Sequence, residues 1–416
     1  MDKNITDYLN LIKESIHKSR SFEAYDYSNT EWDTIVKMAI ETSMHGIVFK
    51  RLKEIAKADP GLNEAVSELE PVIIRYGISE VRKRKLVKEI MKIARDEGIP
   101  VLLFKGVVLS SLYPEPSMRF SSDTDMFINE SERSRMVDIF LQRGYVFDKE
   151  GSNADVVKYL LPKQHYIELH SKLWSYYRGS KVEKIAKMKL EENHIHGIYD
   201  GVECDTIDYG EQLVFLMFHL CKHLICEHAN IRFLTDIALF FNAHYKEMDL
   251  ALLKERMQIL EYWEFFSLIY EISIRYLGFE RIPEMESIKS PEYKESQAEA
   301  TISELMLVGR DKFDNDNLNQ LDYNMTPYLM GTYAETENHG KFRKRLNYLF
   351  PSVKHFPDGY GYVKKCPILL PVGWIHRIGK YAIDRMFKKT DRISGTVRMN
   401  KVDAKVERLR KIGLIK

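Results

Sequence analysis

The stretch PVLLFKGVVLSSLYPEPSMRFSSDTDMFI, residues 100–128, decides the fold of this chain. An apolar run in it ends at Lys105 and Gly106, and two aspartates, Asp123 and Asp125, stand directly before a second apolar run. Aspartate is a poor strand former, and its burial is costly without a partner. The pair therefore either lies on a solvated turn or faces a cation.

The pattern around this stretch predicts a small mixed sheet. Apolar or alternating runs predict strands at residues 99–104, 123–129 and 165–173, and a further strand starts after Gly144. Short helices are predicted between them, at residues 107–112 and 131–143. The expected fold class is α+β, with the small sheet embedded between N-terminal and C-terminal helical regions.

Changes in periodicity and composition divide the chain into four regions. The first 97 residues carry apolar positions at helical spacing, and helical patterns return after residue 208. A segment rich in proline and aromatic residues, residues 347–374, is predicted to be irregular. The predicted regions are an N-terminal helical region at 1–97, the sheet domain at 98–207, a helical domain packed on it at 208–345 and a C-terminal segment at 346–416.

The composition is that of an ordinary globular protein. The 416 residues are 44% hydrophobic and 30% charged, which is enough for two or three domains with cores of their own. No apolar stretch reaches the roughly 18 residues of a membrane helix, and the N-terminus lacks a signal core. The four cysteines show no disulfide framework. We expect a cytoplasmic protein.

Carboxylates on the predicted strands point to a divalent metal. Residues i and i+2 of a strand share a face, so Asp123 and Asp125 would stand side by side and repel each other without a cation. Mg²⁺ binds carboxylate and phosphate oxygens. Glu168, on another strand, is the natural third acid, although it also fits the exposed face of an edge strand. Three such acids can hold two metals.

The Lys-Gly pair and a nearby arginine supply the opposite charge. A strand that ends at Gly106 and opens a helix exposes N–H groups that favour phosphate, and glycine permits close approach. Lys105 adds a positive charge, and Arg119 can clamp phosphate oxygens. Lys105 alone also fits a surface lysine, and Arg119 also fits a structural ion pair with Glu115 or an aspartate.

These residues resemble a known family. The run LLFKG, YPEP, SDTDMFI, then HYIELH and HLCKHL with IRFLTDIALF, is similar to the uncharacterised nucleotidyltransferase family of the polymerase-β-type superfamily. The resemblance covers most of the chain and implies a nucleotidyltransferase palm at residues 98–207. The superfamily turn usually reads Gly-Ser, whereas here Lys105 precedes Gly106 and Val107 follows it.

The resemblance implies transfer of a nucleoside monophosphate from an NTP to an unknown hydroxyl, phosphate or amine, with Mg²⁺ or Mn²⁺ as the metal and pyrophosphate released. The implied catalytic and metal-binding residues are Asp123, Asp125 and Glu168. The implied nucleotide-binding residues are Lys105, Gly106, Arg119 and Ser122. Further contacts to the acceptor or triphosphate are expected from His170, His219, Lys222, His223, Arg232 and Asp236.

Several of these residues also allow other interpretations. His170 fits a packed or hydrogen-bonded histidine as well as a substrate contact, and Arg232 with Asp236 fits an i, i+4 ion pair. The spacing of His219, His223 and Cys226 could hold a transition metal, which leaves open a helical zinc-binding protein, although no fourth ligand is evident. The altered turn leaves open a nucleotide-binding regulatory protein that transfers nothing.

The C-terminal segment is strongly basic. From Arg377 to the end there are thirteen Lys/Arg and four Asp/Glu, within a chain of net charge +1. Apolar residues such as Trp374 and Ile375 stand among or beside these cations. The pattern favours a helix packed on the body of the protein with a solvated charged face. Contact with an anionic membrane or a nucleic acid is the functional alternative.

Overall fold

In a computed structural model of the chain, the described residues are 1–17, 20, 22–121, 123–149, 152, 156–161, 165–173, 180–226, 229–290, 292–306, 350–353, 356, 360–387 and 404–415. They fall into two compact units. The first comprises Met1–Ser175, Ile185–Leu220 and Ala229–Val308, and the second Tyr176–Lys184, Cys221–His228 and Gly309–Lys416.

Helices lead into the sheet, as the sequence predicts. They are α1 (Lys3–Ile16), α2 (Trp32–Glu41), α3 (His45–Ala56) and α4 (Pro60–Asp96). The side chain of Asp2 caps α1 by accepting hydrogen bonds from two backbone N–H groups. The long helix α4 starts at a proline and stops before Gly98, whose φ of 66° suits glycine. The first strand of the sheet begins at Val101, shortly after this helix ends.

Seven strands form one mixed sheet in the order β3-β4-β5-β2-β1-β7-β6. The strands are β1 (Val101–Leu103), β2 (Asp123–Ile128), β3 (Val146–Asp148), β4 (Val156–Leu161), β5 (His165–His170), β6 (His194–Tyr199) and β7 (Val202–Ile207). The pairs β2·β5 and β1·β7 are parallel, and the other neighbours are antiparallel. This sheet between helical regions confirms the predicted α+β class.

Besides residues 404–411, which are also helical, further helices lie within and after the sheet. They are α5 (Gly106–Ser110), α6 (Arg133–Gln142), α7 (Ser180–Met188), α8 (Tyr209–Cys226), α9 (Ile231–His244), α10 (Leu250–Ile259), α11 (Trp263–Leu277), α12 (Pro283–Ile288), α13 (Glu295–Met306), α14 (Gly361–Lys365) and α15 (Leu370–Phe387). Single 3₁₀ turns lie at Pro116–Met118, Glu130–Glu132, Leu190–Glu192, Tyr245–Glu247 and Pro367–Leu369. No helix of the described part has the length and apolar character to cross a membrane.

The expectation of irregular backbone at 347–374 is wrong for part of that range. Helix α14 and the start of α15 lie in it. Pro371 is the second residue of α15, a position where proline costs little because the N–H it lacks has no helical partner. Proline content was therefore a poor guide to the backbone there.

Each unit has its own core. In the first, large side chains of α9 and α11 pack together, including Phe240, Phe241 and Phe266. In the second, Phe356 and Val363 are fully buried against the backbone of α15 at Gly373. The predicted domain boundaries remain predictions, although all seven strands lie between residues 101 and 207.

Candidate active site

The pairing of β2 with β5 brings the acidic residues together. The two strands run parallel in a register that sets Asp125 opposite Glu168 and Asp123 opposite Tyr166. On the other side of β5, Lys158 of β4 stands opposite Glu168. Residues opposite each other on adjacent strands point to the same face, so two acids and a lysine share one surface.

Asp125 is the most strongly held of these acids. Its Oδ1 atom accepts hydrogen bonds from Lys105 Nζ and from His170 Nε2, each at 2.9 Å. Burial by itself would raise the pKa of Asp125, but the charge of Lys105 and the bond from His170 outweigh it and hold that pKa below its ordinary value. The carboxylate therefore stays ionised in a buried position.

Glu168 completes a possible metal-binding set. Its Oε1 atom lies 2.5 Å from Lys158 Nζ, and its Oε2 atom lies 3.5 Å from His170 Nε2. Burial raises the pKa of Glu168, yet the bonds from His170 and Lys158 leave it lowered overall. Among the described residues, ligand atoms of Asp125, Glu168 and His170 lie mutually within 4.8 Å. This set has His170 where the sequence predicted Asp123.

Asp123 stands at the start of β2 and is less buried than Asp125. The pKa of Asp123 is raised, first by burial and then by the charges of Asp125 and Glu168. Lys105 and Lys83 oppose this shift but do not cancel it. A bound cation would favour the ionised form of Asp123, because its positive charge would offset the repulsion from Asp125 and Glu168.

In the turn before α5, Lys105 has an unusual backbone conformation, with φ 57° and ψ −117°. Such a conformation costs a non-glycine residue roughly 1–3 kcal/mol and is concentrated at functional sites. A Cβ atom on Gly106 would lie 3.9 Å from the Asp123 carbonyl oxygen, so the fold itself leaves room there. Helix α5 has only five residues, and its dipole is correspondingly small.

A second buried lysine adjoins the acidic strand and was missed from the sequence. Lys83 of α4 donates to the Ser121 carbonyl oxygen at 2.8 Å and to its Oγ at 2.6 Å, and pairs with Glu80 at 2.6 Å. Burial lowers the pKa of Lys83 although Glu80 and Asp123 oppose the shift. Nothing in the charged run VRKRK distinguishes this lysine from its neighbours. Lys158 did have a signal, because it is the single charge in the apolar run VVKYLL.

Arg119 is engaged within the protein. Its Nε and Nη2 atoms donate to the two carboxylate oxygens of Asp236 at 2.8 and 2.6 Å, and Tyr113 donates to the same carboxylate at 2.8 Å. All three side chains are buried. Arg232 does not supply the i, i+4 bond; its Nη1 donates to the Phe120 carbonyl oxygen at 2.7 Å.

The remaining predicted residues lie in several places. His219 packs between aromatic rings, with centroid distances of 5.8 Å to Phe215 and 5.5 Å to Phe233. Lys222 and His223 are half-buried in the last turns of α8. Ser122 and the side chain of Cys226 fall outside the described residues. The described part of the chain offers no transition-metal group at these histidines, and its one candidate set is at Asp125.

An α+β sheet with acids on two adjacent strands fits a nucleotidyltransferase domain. The sequence profile of a family described as an uncharacterised nucleotidyltransferase matches residues 28–278 of this chain. The match spans more than half of the chain, so the chain belongs to that family, and the resemblance noted from the sequence is confirmed. No curated protein matches the chain. The family supports nucleotidyl transfer as the general activity.

Proposed function

We propose that this protein is a metal-dependent nucleotidyltransferase that moves a nucleoside monophosphate from an NTP to an acceptor and releases pyrophosphate. The observation that carries the proposal is the register of β2 and β5, which places Asp125 opposite Glu168 with Asp123 two residues away. The family match supports the same reaction class. The acceptor would present a hydroxyl, phosphate or amine.

The donor set fits a hard divalent cation such as Mg²⁺ or Mn²⁺. Asp123, Asp125 and Glu168 supply carboxylate oxygens, which these ions prefer. A carboxylate has about four lone-pair positions, so the bonds that Asp125 Oδ1 accepts leave others for an ion. His170 would orient Asp125 and Glu168 through its Nε2 atom. A divalent cation bound there would neutralise triphosphate charge and lower the pKa of the attacking group.

The lysines would provide the rest of the electrostatic stabilisation. Lys105 Nζ lies 2.9 Å from Asp125 Oδ1, so the lysine side chain borders the acidic face where a triphosphate would bind. We propose that it turns to the phosphates when a cation takes its place on Asp125. Because glycine has no side chain, Gly106 would let phosphate approach the backbone. Arg119, fully engaged by Asp236, would act by holding the strand entry in place rather than by binding phosphate.

The test is pyrophosphate release from each NTP, with Mg²⁺ or Mn²⁺, over a panel of acceptors. Release should be lost in Asp125→Asn and in Asp123→Asn. The control is Asp205→Asn, which changes an exposed aspartate of β7 in the same sheet. If either site variant kept full release, the assignment of the acids would be wrong.

A second function is favoured by one observation. Lys105 and His170 both contact Asp125 and offset its charge. A regulatory protein that binds a nucleotide and transfers nothing would show this arrangement too. It would bind NTP tightly and release no pyrophosphate with any acceptor.

A further inference from the structure

The second unit exposes a row of large apolar side chains. On α15 and the 3₁₀ turn before it, Ile368 is 86% exposed, Val372 52%, Ile375 72% and Ile378 43%. Val372 and Ile375 are three residues apart and share one face of α15, and Ile368 lies in the turn directly before that helix. We call this row the α15 outer face. The sequence predicted a packed helix with a solvated charged face, whereas these exposed side chains are apolar.

The opposite face of α15 packs on its own unit. A Cβ atom on Gly373 would lie 2.6 Å from Val363 and 2.8 Å from Phe356, so the backbones are in close contact. Trp374 Nε1 donates to the Pro351 carbonyl oxygen at 2.8 Å. The inner side of the helix is therefore anchored, whereas the side chains of the α15 outer face are exposed.

The charge of this region identifies the chemistry of the partner. From Arg377 to the C-terminus the excess is nine positive charges, whereas the whole chain carries +1, so the remaining residues carry −8. The exposed Lys365 and Lys380 lie before and after the apolar row. An apolar strip bordered by cations matches the boundary between anionic headgroups and acyl chains.

We propose that the α15 outer face docks this protein on an anionic membrane surface. A bilayer would bury Ile368, Val372 and Ile375, and its anionic headgroups would attract the exposed Lys365 and Lys380. A nucleic acid would satisfy the charge but would leave aliphatic side chains uncovered, since single strands stack on aromatic rings. A second copy of the chain would bring two basic segments together.

The test uses the full chain and flotation with vesicles of phosphatidylcholine alone or mixed with phosphatidylglycerol. The parent should float with the anionic vesicles only, and less at high salt because charge contributes. Ile375→Asp should weaken flotation by about tenfold or more, since one apolar side chain no longer enters the bilayer. The matched control is Ile198→Asp on β6, where the isoleucine is also 72% exposed.

Each outcome bears on the proposal. Flotation of the parent and of Ile198→Asp, with loss in Ile375→Asp, supports docking through the α15 outer face. Absence of flotation, or equal loss in both variants, overturns it. Tight binding to single-stranded RNA without flotation overturns it in favour of a nucleic-acid surface. Circular dichroism of Ile375→Asp, and a second variant, Val372→Asp, separate loss of docking from misfolding.

Discussion

The buried pair of Arg119 and Asp236 allows a sharp test of which residues hold the fold and which bind nucleotide. Asp236 accepts three hydrogen bonds, two from Arg119 and one from Tyr113. In Asp236→Ala the guanidinium would stay buried without a counter-charge, which costs about 3–5 kcal/mol. The unpaired Tyr113 hydroxyl adds about 1–3 kcal/mol. The expected loss is therefore about 4–8 kcal/mol, a large part of the stability of a typical domain.

The assay is urea unfolding of purified parent and variants, followed by circular dichroism. The double variant Arg119→Met with Asp236→Leu should be at least about 2 kcal/mol more stable than Asp236→Ala, because no buried charge is left unpaired. The control is Asp96→Ala, which breaks an exposed pair with Lys92 and should cost less than about 1 kcal/mol.

One result would refute this reasoning. If Asp236→Ala unfolded within about 1 kcal/mol of the parent, and Arg119→Met lost nucleotide affinity with no loss of stability, Arg119 would be a nucleotide contact. The structural role assigned to it here would then be wrong.

Three further predictions concern stability. Burial alone would raise the pKa of Glu271, but its hydrogen bonds from Arg281 and Lys289 outweigh burial and lower that pKa from 4.5 to about 2. The ionised Glu271 therefore stabilises the folded state above pH 4.5, and this stabilisation is lost as the pH falls towards 2. Glu271→Gln should remove on the order of 1–2 kcal/mol of this acid dependence, measured by urea unfolding over that pH range, because solvent screening reduces the full effect of roughly 3 kcal/mol. Burial lowers the pKa of His165 from 6.5 to about 3. The neutral imidazole therefore contributes stability above pH 6.5, and this contribution is lost as the pH falls towards 3. In His165→Gln the free energy of unfolding should depend less on pH over that range. Gly46→Ala should destabilise the folded state by about 2 kcal/mol or more in thermal unfolding, since a Cβ atom there would lie 2.3 Å from the Met118 carbonyl oxygen. Gly106→Ala should leave stability nearly unchanged. Equal effects of the two substitutions would contradict the packing described.

Local patterns in the sequence predicted the acidic part of the site. The alternation of HYIELH placed Glu168 and His170 on one face of a strand, and the spacing of Asp123 and Asp125 placed them on another. Which strands become neighbours is a property of the whole sheet, but a small sheet leaves few arrangements. The side-by-side placement of Asp125 and Glu168 agrees with the expectation.

The partners of these residues could not be predicted in the same way. Arg119 and Asp236 are 117 residues apart in the chain, and no local pattern connects them. Lys83 reaches Ser121 across 38 residues from a helix with many similar cations. Long-range pairs of this kind depend on packing, which periodicity does not encode.

One missed element did have a local signal. Asp200 and Gly201 have φ of 50° and 76° and link β6 to β7, and Asp-Gly is a strong hairpin signal between alternating residues. This signal would have predicted both β6 and β7, and β7 is the strand that pairs in parallel with β1.

Binding of a metal together with a nucleotide at Asp123 and Asp125 can be tested by thermal unfolding with each NTP, in Mg²⁺, Mn²⁺ or EDTA. The proteins compared are the parent, Asp125→Asn, Asp123→Asn and the control Asp205→Asn. A ligand at a hundredfold excess over its Kd stabilises the folded state by about 2.7 kcal/mol. We expect a metal-dependent rise in Tm for at least one NTP that persists in Asp205→Asn and disappears in both site variants. A rise that is the same in EDTA, or that survives in Asp125→Asn and Asp123→Asn, would contradict it.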